Sequence, residues 1–227
     1  MKTLTEDILY RVIKKRAKDS HKGTYGRVLI IGGTAQFGGA VIMNALAAVN
    51  SGAGLVTVAT DPSNFTALHS HLPEAMVVDF NEDLTEYIKK SDVVLIGSGL
   101  GDRIDLVQHT FYAILPRQIL IVDGSALTLV AKHKLKWPKS RLVLTPHQME
   151  WQRLSGVTIN EQAFEAFNML AQQRMNVEPI LVLKQHHTQI YTNDCAFEIP
   201  VGGPYQATGG MGDTLAGMIA GFTAQFM

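Results

Sequence analysis

Five short runs, RVLIIGG (27–33), LVTVAT (55–60), DVVLIG (92–97), QILIVDG (118–124) and RLVLTP (141–146), are apolar almost without interruption and bounded by turn residues. A strand with one face in water alternates apolar and polar side chains. A strand that is apolar throughout must be covered on both faces. The chain supplies that cover between the runs, where segments of helical character lie at 38–51, 62–70, 82–90, 103–115, 125–134 and 147–154. Strand alternating with helix predicts an α/β fold, with a mostly parallel central sheet and helices on both faces. After a further helix near 160–175 the rhythm changes. PILVLK (179–184), TQIYT (188–192) and AFEIP (196–200) follow with gaps too short for crossover helices. Such gaps predict antiparallel pairing near the C-terminal part. No linker, repeat or low-complexity stretch divides the chain, so residues 1–227 are expected to form one domain.

Composition narrows the function classes. At 46% hydrophobic, 227 residues can bury a large core. Lys plus Arg and Asp plus Glu are both 20, so no basic surplus points to nucleic acid or an anionic membrane as partner. The single cysteine, Cys195, allows no internal disulfide and fits a reducing cytoplasm. The opening stretch MKTLTEDILYRVIKKRAKDS is charged and helix-like, without the apolar centre of a signal peptide. No apolar run reaches the ~18 residues of a membrane span. A soluble cytoplasmic protein is expected.

Glycine-containing turns close several of the runs. IIGGTAQFGGAVIMNALAA lacks the GxGxxG spacing of a dinucleotide-binding loop, yet Gly38-Gly39 suits a close backbone approach. IGSGLG (96–101) ends a buried strand, where open α/β sheets form their ligand crevice. LTPHQMEW places Thr145, Pro146, His147 and Glu150 at another such end. Pro146 is expected as the first helical residue. His147 would be a neutral hydrogen-bonding group facing the crevice, or simply structural. Glu150 would serve a metal or phosphate, or complement the helix dipole. KQHHT (184–188) offers a cation and a hydroxyl to a nucleotide. His186 and His187 look like a metal pair, but neighbours in an extended segment point to opposite faces. They are expected to be turn residues, with no metal site. KHKLKWPK (132–139) is expected to be a solvated connection. Phe164, Phe167, Met169 and Met175 are expected to be helix packing residues.

The most informative stretch is ATGGMGDTLAG (207–217). Gly209, Gly210 and Gly212 leave the N–H groups of a helix start bare, which favours a phosphate there. An acidic residue in that setting repels phosphate unless it takes a proton from a hydroxyl attacking it, the role of a general base. Asp213 is the candidate base, with an N-capping role as the alternative. The residues point to phosphoryl transfer.

At this point a resemblance is visible. TGGMGDTLAGMIAG resembles the signature of the ribokinase-like superfamily, and its GGMGD-x-LAG form is similar to the ADP/ATP-dependent NAD(P)H-hydrate dehydratases. FGGA (37–40), GSGLG (97–101), IVDGSAL (121–127), LTPHQMEWQRL (144–154) and K-x-x-x-T (184–188) stand in that family's order and cover nearly the whole chain. The resemblance implies a three-layer ribokinase-like sandwich. It also implies repair of hydrated NADH and NADPH, in which ADP or ATP phosphorylates the ring hydroxyl and phosphate then leaves. By position, Ala40, Gly101, His147 and Asp213 would contact the hydrate, with Asp213 as base. Lys184, Gln185, His186, His187 and Thr188 would hold the nucleotide with Gly209, Gly210 and Gly212. Mg2+ and a homo-oligomer are further expectations.

Four features depart from the pattern. Ser125 stands where the family has a second acid, and Gln185 where it has a glycine. GGPYQATGG replaces an Asn-rich form, and the chain stops at Met227, where relatives continue with further helices. A vitamin-precursor kinase of the same superfamily, or an inactive nucleotide-binding assembly protein, therefore remain alternatives.

Overall fold

In the computed structural model, which describes residues 1–226, the chain forms a ten-stranded sheet. The strands are β1 (Lys2–Thr3), β2 (Arg27–Ile31), β3 (Leu55–Thr60), β4 (Met76–Asp79), β5 (Val93–Ile96), β6 (Ile119–Val122), β7 (Arg141–Leu144), β8 (Ile180–Leu183), β9 (Gln189–Tyr191) and β10 (Ala196–Glu198). The α-helices are α1 (Asp7–Val12), α2 (Gly38–Asn50), α3 (Phe65–His71), α4 (Thr85–Lys90), α5 (Ile104–Ala113), α6 (Gly124–His133), α7 (Gln148–Ser155), α8 (Glu165–Gln173) and α9 (Met211–Gln225). Strand order is β1-β10-β9-β8-β7-β6-β5-β2-β3-β4.

The order explains where a ligand can enter. From β2 the chain winds outward through β3 to β4, then returns to lay β5 on the other side of β2 and winds the opposite way to β8. These seven strands are parallel. The reversal between β2 and β5 splits the connections apart at their carboxyl ends, which opens a crevice there.

Alternation along each strand builds two cores. Leu29 and Ile31 of β2 join Val94, Ile96, Leu120 and Val122 on one face, covered by residues such as Leu106, Leu127 and Trp151 from α5, α6 and α7. Val28 and Ile30 join Val93, Leu95 and Ile121 on the other, under Val41, Leu68 and Ala220 from α2, α3 and α9. Each fully buried side chain such as Ile30 contributes about 1.5–3 kcal/mol. The apolar runs of the central strands are therefore continuous because helices cover both faces of the sheet there.

The α2–α9 contact is unusually close. At Gly217 an added Cβ would strike the backbone of Asn44, and at Gly221 the backbone of Ala48. Ala45, Ala48, Ala216, Ala220 and Ala224 complete a seam of small buried residues.

Some expectations need correction. β4 was not anticipated, because its four residues lie toward the sheet edge and Met76 is exposed. The helix-like first twenty residues yield the two-residue strand β1 and the six-residue α1, which buries no residue. The three strands joined by short gaps, β8, β9 and β10, pair antiparallel as expected. β8 still runs parallel to β7 after the α8 crossover, and the reversal comes with β9 and β10. Phe164 and Phe167 were expected to pack but are largely exposed, meeting edge to face. Among the described residues no helix is long and apolar enough to cross a membrane.

Candidate active site

Four neighbouring strands, β5 to β8, deliver one side chain each to the carboxyl edge: Ser98, Asp123, Thr145 and Lys184. Asp123 is buried at their centre. Its Oδ1 accepts from Thr145 Oγ1 at 2.7 Å and from Lys184 Nζ at 2.7 Å, and its Oδ2 accepts from Ser98 Oγ at 3.2 Å. A buried carboxylate is costly unless a cation and hydrogen-bond donors surround it, and here both do. Asp123 sits at the N-cap of α6 with extended backbone, but its side chain makes no capping bond. It serves the network instead.

Lys184 connects this row to α9. Its ammonium lies 3.3 Å from where a Cβ on Gly212 would stand, so any side chain at 212 would crowd it. The α9 start opens with Gly210 at φ 88, a left-handed conformation that favours glycine, and no side chain caps it. Its first-turn N–H groups are therefore available to an anion. Asp213 lies in that first turn, whose N-cap position is held by Gly210. Asn44 Nδ2 donates to the Asp213 backbone oxygen at 2.6 Å, fixing the residue from behind. Burial raises the Asp213 pKa and the negative Asp123 raises it further, while the Ser98 hydroxyl and Lys184 pull it down. Its proton affinity is thus above that of an ordinary aspartate, as a base needs.

His147 forms the opposite wall. It is the N-cap of α7: its Nδ1 accepts from the N–H groups of Met149 at 3.1 Å and Glu150 at 3.3 Å. Glu150 returns the bond, accepting the His147 N–H at 2.8 Å. This reciprocal box places Pro146 just before the cap, not at the first helical position as expected, because the imidazole itself supplies the capping acceptor. With Nδ1 accepting, the proton belongs on Nε2, which stands 3.4 Å from Glu150 Oε1. Burial, then the charges of Lys184 and Arg153, lower the His147 pKa and favour the neutral ring. Burial pushes the Glu150 carboxyl up to about 7, opposed by its bond from His147.

Ala40, Gly101, His147 and Asp213 line one cavity of about 540 Å³. Gln185 and His186 line a second, of about 330 Å³, with the 203–207 loop. His187 and Thr188 line neither: His187 Nδ1 is 3.8 Å from Glu198 Oε1, and the Thr188 carbonyl accepts from Ile199. Gly209 faces open space and Gly210 packs on Met43. The His186 and His187 rings lie 4.3 Å apart, not on opposite faces, because the chain bends here. Asp123 escaped the sequence reading, although an acid closing the apolar run QILIVDG was a visible signal.

A mostly parallel sheet with helices on both faces and this bare helix start at its carboxyl edge is the arrangement of a ribokinase-like α/β protein. A crystal structure of a ribokinase-like superfamily protein from Enterococcus faecalis superposes with a TM-score of 0.96 at 46% identity, covering 100% of this chain and 81% of that one. The family model for NAD(P)H-hydrate dehydratase matches residues 28–227, and the chain belongs to that family. The ADP-dependent (S)-NAD(P)H-hydrate dehydratase of Streptococcus pneumoniae is 52% identical over 100% of this chain and 80% of its own length. That of Lactiplantibacillus plantarum is 53% identical over 100% and 82%. The ADP/ATP-dependent enzyme of Bacillus subtilis, co-crystallized with ATP and Mg2+, has a TM-score of 0.86 at 29% identity, over 99% of this chain and 82% of that one.

Proposed function

We propose that this protein dehydrates hydrated NADH and NADPH at the expense of ADP or ATP. The observation that carries the reading is the meeting of Asp213 with a bare helix start and with Lys184, in a cavity shared by Ala40, Gly101 and His147. The nucleotide's terminal phosphoryl group would lie against the α9 N–H groups and Lys184. Asp213 would take the proton of the ring hydroxyl as its oxygen attacks phosphorus and the bond to the nucleotide breaks. Phosphate then departs with the C–O electron pair, and loss of a proton from the adjacent carbon restores the double bond. Hydroxide is a poor leaving group and phosphate a good one, which is why a nucleotide is needed. His147, neutral with a proton on Nε2, would offer a hydrogen bond to the hydrate.

The described residues gather no group of three His, Cys, Asp or Glu able to hold a metal. We expect a Mg2+ ion to travel with the phosphates and water. The Gln185/His186 cavity would take the base end of the nucleotide. Self-association is also proposed, since Phe222 of α9 and Phe226 at its C-cap stack yet remain exposed, and a lone free Cys195 suits a cytoplasmic setting. Return of reduced-nicotinamide absorbance when hydrated NADH is mixed with protein and ADP or ATP tests the activity. A folded, nucleotide-binding protein that restores none would overturn it, and release of a stable phosphorylated alcohol from another substrate would point to a kinase.

A further inference from the structure

We infer that Lys132 and Arg153 form a diphosphate subsite for the dinucleotide substrate, at the end of the main cavity remote from the helix start that binds the nucleotide. The inference rests on the proposed dehydratase activity. Both residues line the cavity that holds Asp213. On α6, Ser125, Thr128 and Lys132 share one face and all line it; on the α7 side His147, Glu150 and Arg153 do the same. Both helices start at the crevice and run back along the sheet. Seven residues separate Ser125 from Lys132, about 10 Å along the axis, and six separate His147 from Arg153, about 9 Å. The two cations therefore stand well beyond the groups facing the ring, on the side where the ribose and diphosphate must continue.

Among the described residues neither cation is held in an ion pair, although Arg153 feels the charge of Glu150. α6 has no acidic residue in its sequence GSALTLVAKH. On α7 the one acid, Glu150, is a turn before Arg153, where a helical ion pair would normally form. Its carboxylate is turned instead onto the His147 N–H and ring. A planar guanidinium and an ammonium, both exposed and facing a groove lined by the Ser125 and Thr128 hydroxyls, suit a group with several anionic oxygens. The competing explanation is that each cation only complements its helix C-terminus, since both lie in last turns.

Two substrates separate these explanations: hydrated NADH, and hydrated reduced nicotinamide riboside, which has the ring and ribose but no phosphate. For the double variant Lys132→Ala/Arg153→Ala, the preference in kcat/KM for hydrated NADH over the riboside should fall at least tenfold, with the KM for ADP unchanged. Equal losses on both substrates, or no loss on either, would overturn the subsite. If the wild-type protein dehydrates neither substrate, the dehydratase reading fails, and binding of NADH itself still decides the subsite. A Kd weakened at least tenfold in the double variant, with the salt dependence of binding reduced, upholds it; an unchanged Kd overturns it.

Discussion

The two ends of the crevice are built to different standards. At the Asp213 end, Asp123 is buried and bonded to three side chains from three strands, and Asn44 holds the Asp213 backbone from the neighbouring helix. At the Gln185/His186 end, the 201–209 loop is largely exposed, and its one short 3-10 turn, Pro204–Gln206, buries nothing. One end is fixed by hydrogen bonds and burial before any ligand arrives, and the other is open; on the proposed function the first holds the reacting groups and the second receives the nucleotide. The chemistry demands that division. A base must be held within a fraction of an ångström, whereas a nucleotide's base end needs only enough contact to be retained.

The comparison is most severely tested at Asp123. Asp123→Ala strands a part-buried ammonium and two buried hydroxyls, and should cost about 3–5 kcal/mol of stability by urea unfolding. A loss below about 1 kcal/mol would show that the rigid end is not rigid because of this network. Asp213→Asn comes next. It should lower kcat about 100-fold or more at nearly unchanged stability, and near wild-type turnover would end the base assignment.

Glu150 gives a pH-dependent effect. Its carboxyl rises from an ordinary 4.5 to about 7 in the folded state. Between those values the unfolded chain has lost the proton that the folded chain keeps, so stability falls as pH rises through this window and is level above it. The full penalty is about 3 kcal/mol at most. Glu150→Gln should remove that slope, leaving the variant more stable than wild type at pH 8 and no more stable at pH 4. An identical pH dependence in the two proteins would contradict the buried-carboxyl account. The smallest effect is expected at the open end: Gln185→Gly should change the nucleotide KM severalfold while moving stability by less than about 0.5 kcal/mol. A large loss of stability there would erase the contrast between the two ends.

Legibility in the sequence follows the same division between local and assembled features. The strands under both helical layers were readable because burial on two faces leaves an uninterrupted apolar run. The α9 start was readable because its glycines and acid are adjacent. β4 was hidden by its brevity and edge position. The Ser98, Asp123, Thr145 and Lys184 row was hidden for a different reason: its members are distant in sequence and become neighbours only through the order of β5 to β8. In the sequence Lys132 belongs to a basic run expected to be solvated, and the periodicity that places it on the same face as Ser125 and Thr128 acquires meaning only because α6 borders the cavity.

The seam between α2 and α9 has a mechanical consequence. Gly217 lies four residues after Asp213, about 6 Å along the helix, and it allows no side chain against the Asn44 backbone. The two helices are joined like a dovetail, with no clearance for sliding or rolling. The start of α9 is thereby held in place, while the 201–209 loop beside it is largely exposed. A methyl group added at Gly217, one turn beyond Asp213 and against the Asn44 backbone, would push that helix out of line, so an error in the helix contact should appear as lost chemistry at the start of α9.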